Sequence, residues 1–142
     1  MRFPPMLAVA TLVGATSGFA ATPVYLVMDH STEAVMDKAG ALAVWREQHD
    51  DKRLKRLAKL YPVAKWGFLS QVEGGFTADK ACVITARAML VPRSGKRLLF
   101  VPTKTATAFD HQPGATVEQC RALARAKLGE AIVAVDSSLI AD

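Results

Sequence analysis

Apolar residues along this chain switch between two spacings, and the switch points divide it into elements. Between residues 35 and 61 they recur every three or four positions. Val35, Ala39, Leu42 and Trp45 form a first run with Ala43 alongside, and Leu54, Leu57, Ala58 and Tyr61 form a second. That is helical spacing. Asp29-His30-Ser31-Thr32-Glu33 is rich in N-cap residues and predicts the first helix start, while Pro62 ends the second run. One unbroken helix from Thr32 to Tyr61 would be about 45 Å long. A domain of this size has a radius of gyration of about 14 Å. The pattern therefore predicts a helix pair broken at Gln48-His49-Asp50-Asp51, with Asp50 as the second N-cap. Ahead of it, Val24 to Met28 reads as a strand or a buried arm.

From Trp66 the period drops to two. Trp66, Phe68, Ser70 and Val72 alternate with Gly67, Leu69, Gln71 and Glu73. Glu73-Gly74-Gly75 predicts a turn. A second strand over Ala81 to Val91 puts Cys82, Ile84, Ala86, Ala88 and Leu90 on one face, and Val83, Thr85, Arg87, Met89 and Val91 on the other. Pro92-Arg93-Ser94-Gly95 predicts the next turn, and Arg97 to Val101 a third strand. Pro102 makes that strand an edge or a bulged one. Thr103, Thr105 and Thr107 then share a face, with Phe109 after them.

The last element is a long helix. Thr116-Val117-Glu118-Gln119 fits a capping box. Val117, Cys120, Ala124, Leu128, Ala131, Val135 and Leu139 advance behind it in steps of three and four. Small residues on this stripe and on the Cys82 strand face allow close approach, and a Cys82–Cys120 bridge would fasten the two. The predicted fold is α+β: an N-terminal helix or helix pair, a three-stranded antiparallel sheet, and a C-terminal helix tied to the sheet by a disulfide.

The N-terminus changes the setting. Arg2 precedes an uncharged apolar run from Met6 to Ala15, and Thr16 to Ala20 is small apart from Phe19. These are the three regions of a secretory signal peptide. The run is shorter than the about 20 residues that span a bilayer. Cleavage after Ala20 puts Gly18 and Ala20 at the two positions that must be small. No cysteine follows to carry a lipid. The expected organisation is a signal peptide over 1–20 and one exported domain over 21–142, periplasmic or secreted, with no later membrane span. The two cysteines then meet an oxidising compartment, where an even count reads as a bridge.

The net charge of +5 is unevenly spread. The segment from Lys52 to Phe109 is strongly basic and both flanks are acidic. Lys52, Lys55, Arg56 and Lys59 gather on one side of the second helix, opposite its apolar side. This is an ordinary solvated helix face or an anion-binding one, for an envelope polymer or a lipid headgroup.

Three His–Asp neighbours draw attention: Asp29-His30, His49-Asp50 and Asp110-His111. Adjacent residues rarely form a working pair, since such sites are assembled in space. The acids have simpler work as caps and turn formers. A hydrolase or metal site from His30 and His111 with Asp29 and Asp110 would need both segments at one end of the domain. Serine-nucleophile and phosphate-loop motifs are absent. The element order matches that of double-stranded RNA-binding domains, but the final helix begins Thr-Val-Glu-Gln rather than with basic residues, and an exported chain does not meet RNA. No nucleic acid, cofactor or metal is expected. The expectation is a non-catalytic binding protein of adaptor, inhibitor or immunity type. Its docking surface would be the sheet face away from the helices, carrying Arg87, Met89, Thr103 and Thr105 beside an unpaired edge.

Overall fold

The computed structural model describes Gly18 and residues 21–140. The expected leader, 1–20, lies outside the described residues apart from Gly18. In chain order the elements are β1 (Leu26–Asp29), α1 (Lys38–Gln48), α2 (Asp51–Leu60), β2 (Trp66–Phe76), β3 (Ala81–Ser94), β4 (Arg97–Leu98), β5 (Lys104–Pro113) and α3 (Val117–Leu139).

The helices start where side chains satisfy their first N–H groups. The Gly40 N–H donates to Asp37 at 2.6 Å and opens α1, and the Arg53 N–H donates to Asp50 at 2.7 Å and opens α2. The break between the helices is therefore at the expected place and has the expected cap. The capping box of α3 is also present, with Thr116 and Gln119 bonded reciprocally.

The first helix begins later than its N-cap-rich approach implied. The Asp29 carboxylate accepts hydrogen bonds from the hydroxyls of Ser31 and Ser70, both at 2.7 Å. The N–H groups of His30 and Thr32 donate to the carbonyls of Ser70 and Val72. This segment thus continues the pairing of β1 with β2, and a turn follows it before α1.

The sheet has five strands rather than three, and it is not wholly antiparallel. The Val24–Met28 run supplies β1, which lies parallel to β2. Beyond it all of β2 pairs antiparallel with Cys82–Pro92 of β3. The other edge of β3 is shared, with β5 along Ala81–Leu90 and β4 along Arg93–Ser94.

Two expected turns prove to be strand. Gly74 and Gly75 belong to β2, at φ of 147° and 154°. A Cβ at Gly74 would overlap the Val83 carbonyl oxygen, so glycine here serves close strand approach. Pro92 to Ser94 extends β3, and the turn is Gly95-Lys96. After the two residues of β4 the chain leaves the ladder, so the expected third strand over Arg97–Val101 is mostly loop. The long edge strand is β5, built from the threonine segment.

α3 lies across β3 and β5. Ala86 and Ala88 of β3 and Ala124 and Ala131 of α3 are fully buried in one core with Phe68, Ile84 and Leu128. The Cys82–Cys120 disulfide joins these surfaces with its Cα atoms 5.6 Å apart. A second, smaller core lies on the opposite sheet face, where Leu69, Met89, Val91 and Leu98 pack with Leu26 and Met28. No helix among the described residues is long and apolar enough to cross a membrane.

The bridge closes a loop of 38 residues. Replacing both cysteines by alanine is expected to lower stability by up to about 4 kcal/mol, read as a shift of the urea midpoint.

Candidate functional site

Two places gather polar chemistry. The first is a buried cluster where the three helices meet. His49 is the C-cap residue of α1, and its Nε2 lies 3.1 Å from Oδ2 and 3.3 Å from Oδ1 of Asp136 on α3. Arg53 of α2 donates through Nη1 to the same carboxylate at 3.4 Å. The side chains of His49 and Asp136 are only 6% and 1% exposed. Tyr25, just before β1, donates its hydroxyl to the Tyr61 carbonyl. Burial, and after it the Asp136 charge, pushes the Tyr25 hydroxyl up to about 12. Trp45 and Phe68 pack on the His49 ring at centroid distances of 5.0 and 5.1 Å.

A carboxylate holding an imidazole is half of a general-base site. The serine hydroxyls next along α3 are otherwise engaged, since Ser137 donates to the Val133 carbonyl and Ser138 to the Val135 carbonyl. The cluster's three members come from three helices, so its contacts are those of a joint. Nothing in the local sequence marks it, because His49 and Asp136 are 87 positions apart. The available signal was an acid, Asp136, within the otherwise apolar stretch of α3.

Beside this joint opens a cleft of about 300 Å³ lined by Lys52, Arg53, Arg56 and Asp136, among others. It unites two of the four expected anion-binding residues, Lys52 and Arg56. Lys55 and Lys59 are exposed elsewhere on α2.

The second place is the sheet face away from the helices. Strand alternation separates each His–Asp neighbour found there. His30 and His111 lie on this face, while Asp29 and Asp110 turn to the helix side. Asp110 is 3.4 Å from Lys127 of α3. Its carboxyl is held below the usual range by the His111 backbone N–H first and Lys127 second. His30 follows β1 at one edge of the sheet and stacks on Phe100 at 4.9 Å, whereas His111 lies in β5 at the other edge. Three strand spacings separate those edges, about 14 Å, so the two histidines do not share a site.

Of the expected docking residues, Arg87, Thr103 and Thr105 are exposed. Met89 is not, which corrects its assignment to the open surface. The loop after β4 is tied to β3 by Leu99 and Thr103 N–H groups, and Phe100 reaches His30 across the sheet, leaving Met89 and Leu69 in the small second core. The face that remains open carries Val83, Thr85, Arg87, Thr107 and Phe109. Phe109 is 77% exposed. Arg87 donates to Gln71 at 3.4 Å. The covering loop adds the exposed apolar residues Leu99, Phe100 and Val101.

Comparison with known protein families finds none that the chain matches, and comparison with curated proteins finds no relative.

Two outcomes are expected of the buried cluster. Asp136→Ala strands a buried imidazole and leaves the half-exposed Arg53 guanidinium without this carboxylate, and should cost about 3 kcal/mol in urea unfolding. For Tyr25, the folded state holds its proton to higher pH than the unfolded chain does. Its contribution is therefore complete below about pH 10 and lost as pH rises to about 12. Stability followed over that window should fall more steeply in the wild type than in Tyr25→Phe.

Proposed function

We propose that this chain is an exported, non-catalytic binding protein whose partner is another protein of the cell envelope or the exterior. The partner docks on the open sheet face around Arg87 and Phe109. Export rests on the charged, apolar and small-residue succession of residues 1–20 together with the disulfide, a bond that persists in oxidising compartments. The observation that carries the docking reading is a phenylalanine 77% exposed in the middle of a regular strand. Around it lie Val83, exposed threonines and Arg87, with the Leu99–Val101 loop on the same side. An apolar anchor beside an arginine is the composition of interface centres. Arg87 is the cation beside Phe109 on this face, so the fitting partner offers an apolar pocket next to a carboxylate.

A second reading, anion binding at α2, is favoured by one observation. Lys52, Arg53 and Arg56 converge on a single cleft, where a phosphate-bearing lipid headgroup or acidic envelope polymer would meet three cations. The Asp136 carboxylate in that lining opposes it.

The two readings separate by salt. Immobilised oxidised residues 21–142, exposed to envelope extract, should retain one stoichiometric protein through high salt. The double variant Arg87→Ala/Phe109→Ser should lose it. Equal retention by the variant would sink the sheet-face reading. Release of polyanion or lipid alone at modest salt, abolished by Lys52→Glu, would move the function to the α2 cleft.

A further inference from the structure

We infer that β5 is a self-complementary edge through which two copies of this chain pair, joining their sheets antiparallel about a two-fold axis at Thr107. This concerns the strand edge rather than the sheet face, so its failure would leave the protein-binding reading standing.

The hydrogen-bond directions along the sheet give the geometry. The Arg93 N–H donates to Lys65, in the register of β3 with β2, so odd-numbered residues of β3 bond toward β2. Even-numbered residues of β3 therefore bond toward β5. The Gly114 N–H donates to Lys80, which extends that register and shows that even-numbered residues of β5 bond inward. The N–H and C=O groups of Thr105, Thr107 and Phe109 consequently point outward, where no strand among the described residues pairs with them.

The end of β5 is closed against pairing. The His111 N–H donates to its neighbour Asp110 at 2.8 Å, and Pro113 has no N–H to give. The unblocked stretch is short and centred on Thr107. Such an exposed ladder is a template for another strand.

Charge selects the register of a second copy. An antiparallel match must place outward-bonding residues opposite one another, so odd-numbered residues pair with odd. With Thr107 opposite its own copy, Thr105 faces Phe109, Ala106 faces Ala108, and Lys104 faces Asp110. Shifting by one step in either direction sets Lys104 against Ala108 or against Gln112. Only the first register puts opposite charges directly across, twice by symmetry. The Asp110 side chain, which already meets Lys127, is still 47% exposed and has room for a second cation. On the open face the same register brings each Phe109 beside the partner's Thr105, covering part of the exposed ring.

The test uses oxidised residues 21–142. Sedimentation across a concentration series should show a monomer–dimer equilibrium. Thr107→Pro removes an outward N–H without touching the ladder to β3, and should weaken the dimer at least tenfold with an unchanged circular dichroism spectrum. Lys104→Asp should weaken it to a similar degree. Thr107→Cys should form a covalent dimer on oxidation, because directly opposed bonded residues have Cα atoms about 5.5 Å apart, within disulfide reach. Thr105→Cys should not, and mass mapping should find Cys82–Cys120 intact in both. A wild-type chain monomeric at every concentration would overturn the proposal. So would a dimer indifferent to Thr107→Pro, or cross-linking at Thr105 in place of Thr107.

Discussion

The close contact between α3 and β3 governs the rest of this structure. Ala86 and Ala88 on the strand and Ala124 and Ala131 on the helix are fully buried, and the cysteines bridge at a Cα separation of 5.6 Å. Alanines at both surfaces let the helix sit low on the sheet. Larger side chains take over on either side, with Leu128, Ile132 and Val135 from α3 meeting Phe68, Ile84 and Val72. α1 packs against α3 and completes the same layer. All three helices thus share one face, and the opposite face is left to a loop and to solvent.

That one-sided arrangement explains where the polar chemistry falls. On β5 the alternation of a strand sends Asp110 to the helix side, where Lys127 meets it, and His111 to the open side. At β1 it sends Asp29 toward Ser70 and His30 toward Phe100. The neighbours that look like catalytic pairs in sequence are divided by the sheet. The pair that does form, His49 with Asp136, joins the end of one helix to the last turn of another and is shared with Arg53 of a third. Its burial makes it a fastening whose loss would loosen all three helices together.

The same asymmetry shapes the surroundings of β5. Its inner edge is bonded to β3, its helix side is covered by α3, and its outer edge and open face remain. Asp110 and Pro113 blunt one end of that edge, and the loop after β4 covers the sheet face beside the other. The exposed phenylalanine and the outward-pointing amide groups occupy the short stretch between. A second copy on the edge would extend the face while covering part of the Phe109 ring at its margin.

Much of this was legible in the chain itself. The helix break at Asp50, the capping box at Thr116, the apolar stripe of α3 and the cysteine pairing follow from local rules: side chains that cap N–H groups, three-to-four spacing, and small residues where surfaces approach. The five-stranded sheet was not legible. β1 is only four residues long and depends on a parallel partner some forty residues away. Gly74-Gly75 has turn composition yet sits in a strand, where a Cβ on Gly74 would overlap the Val83 carbonyl. Met89 alternates onto the outer face as its position demands, but whether that face is open there depends on a loop that folds back over it. Asp136 had no readable partner until α1 and α3 were packed together. Local chemistry determined the elements, the caps and the bridge. Which groups meet across elements, which face is covered and which edge stays free were decided by tertiary packing, since each depends on residues far apart in the chain.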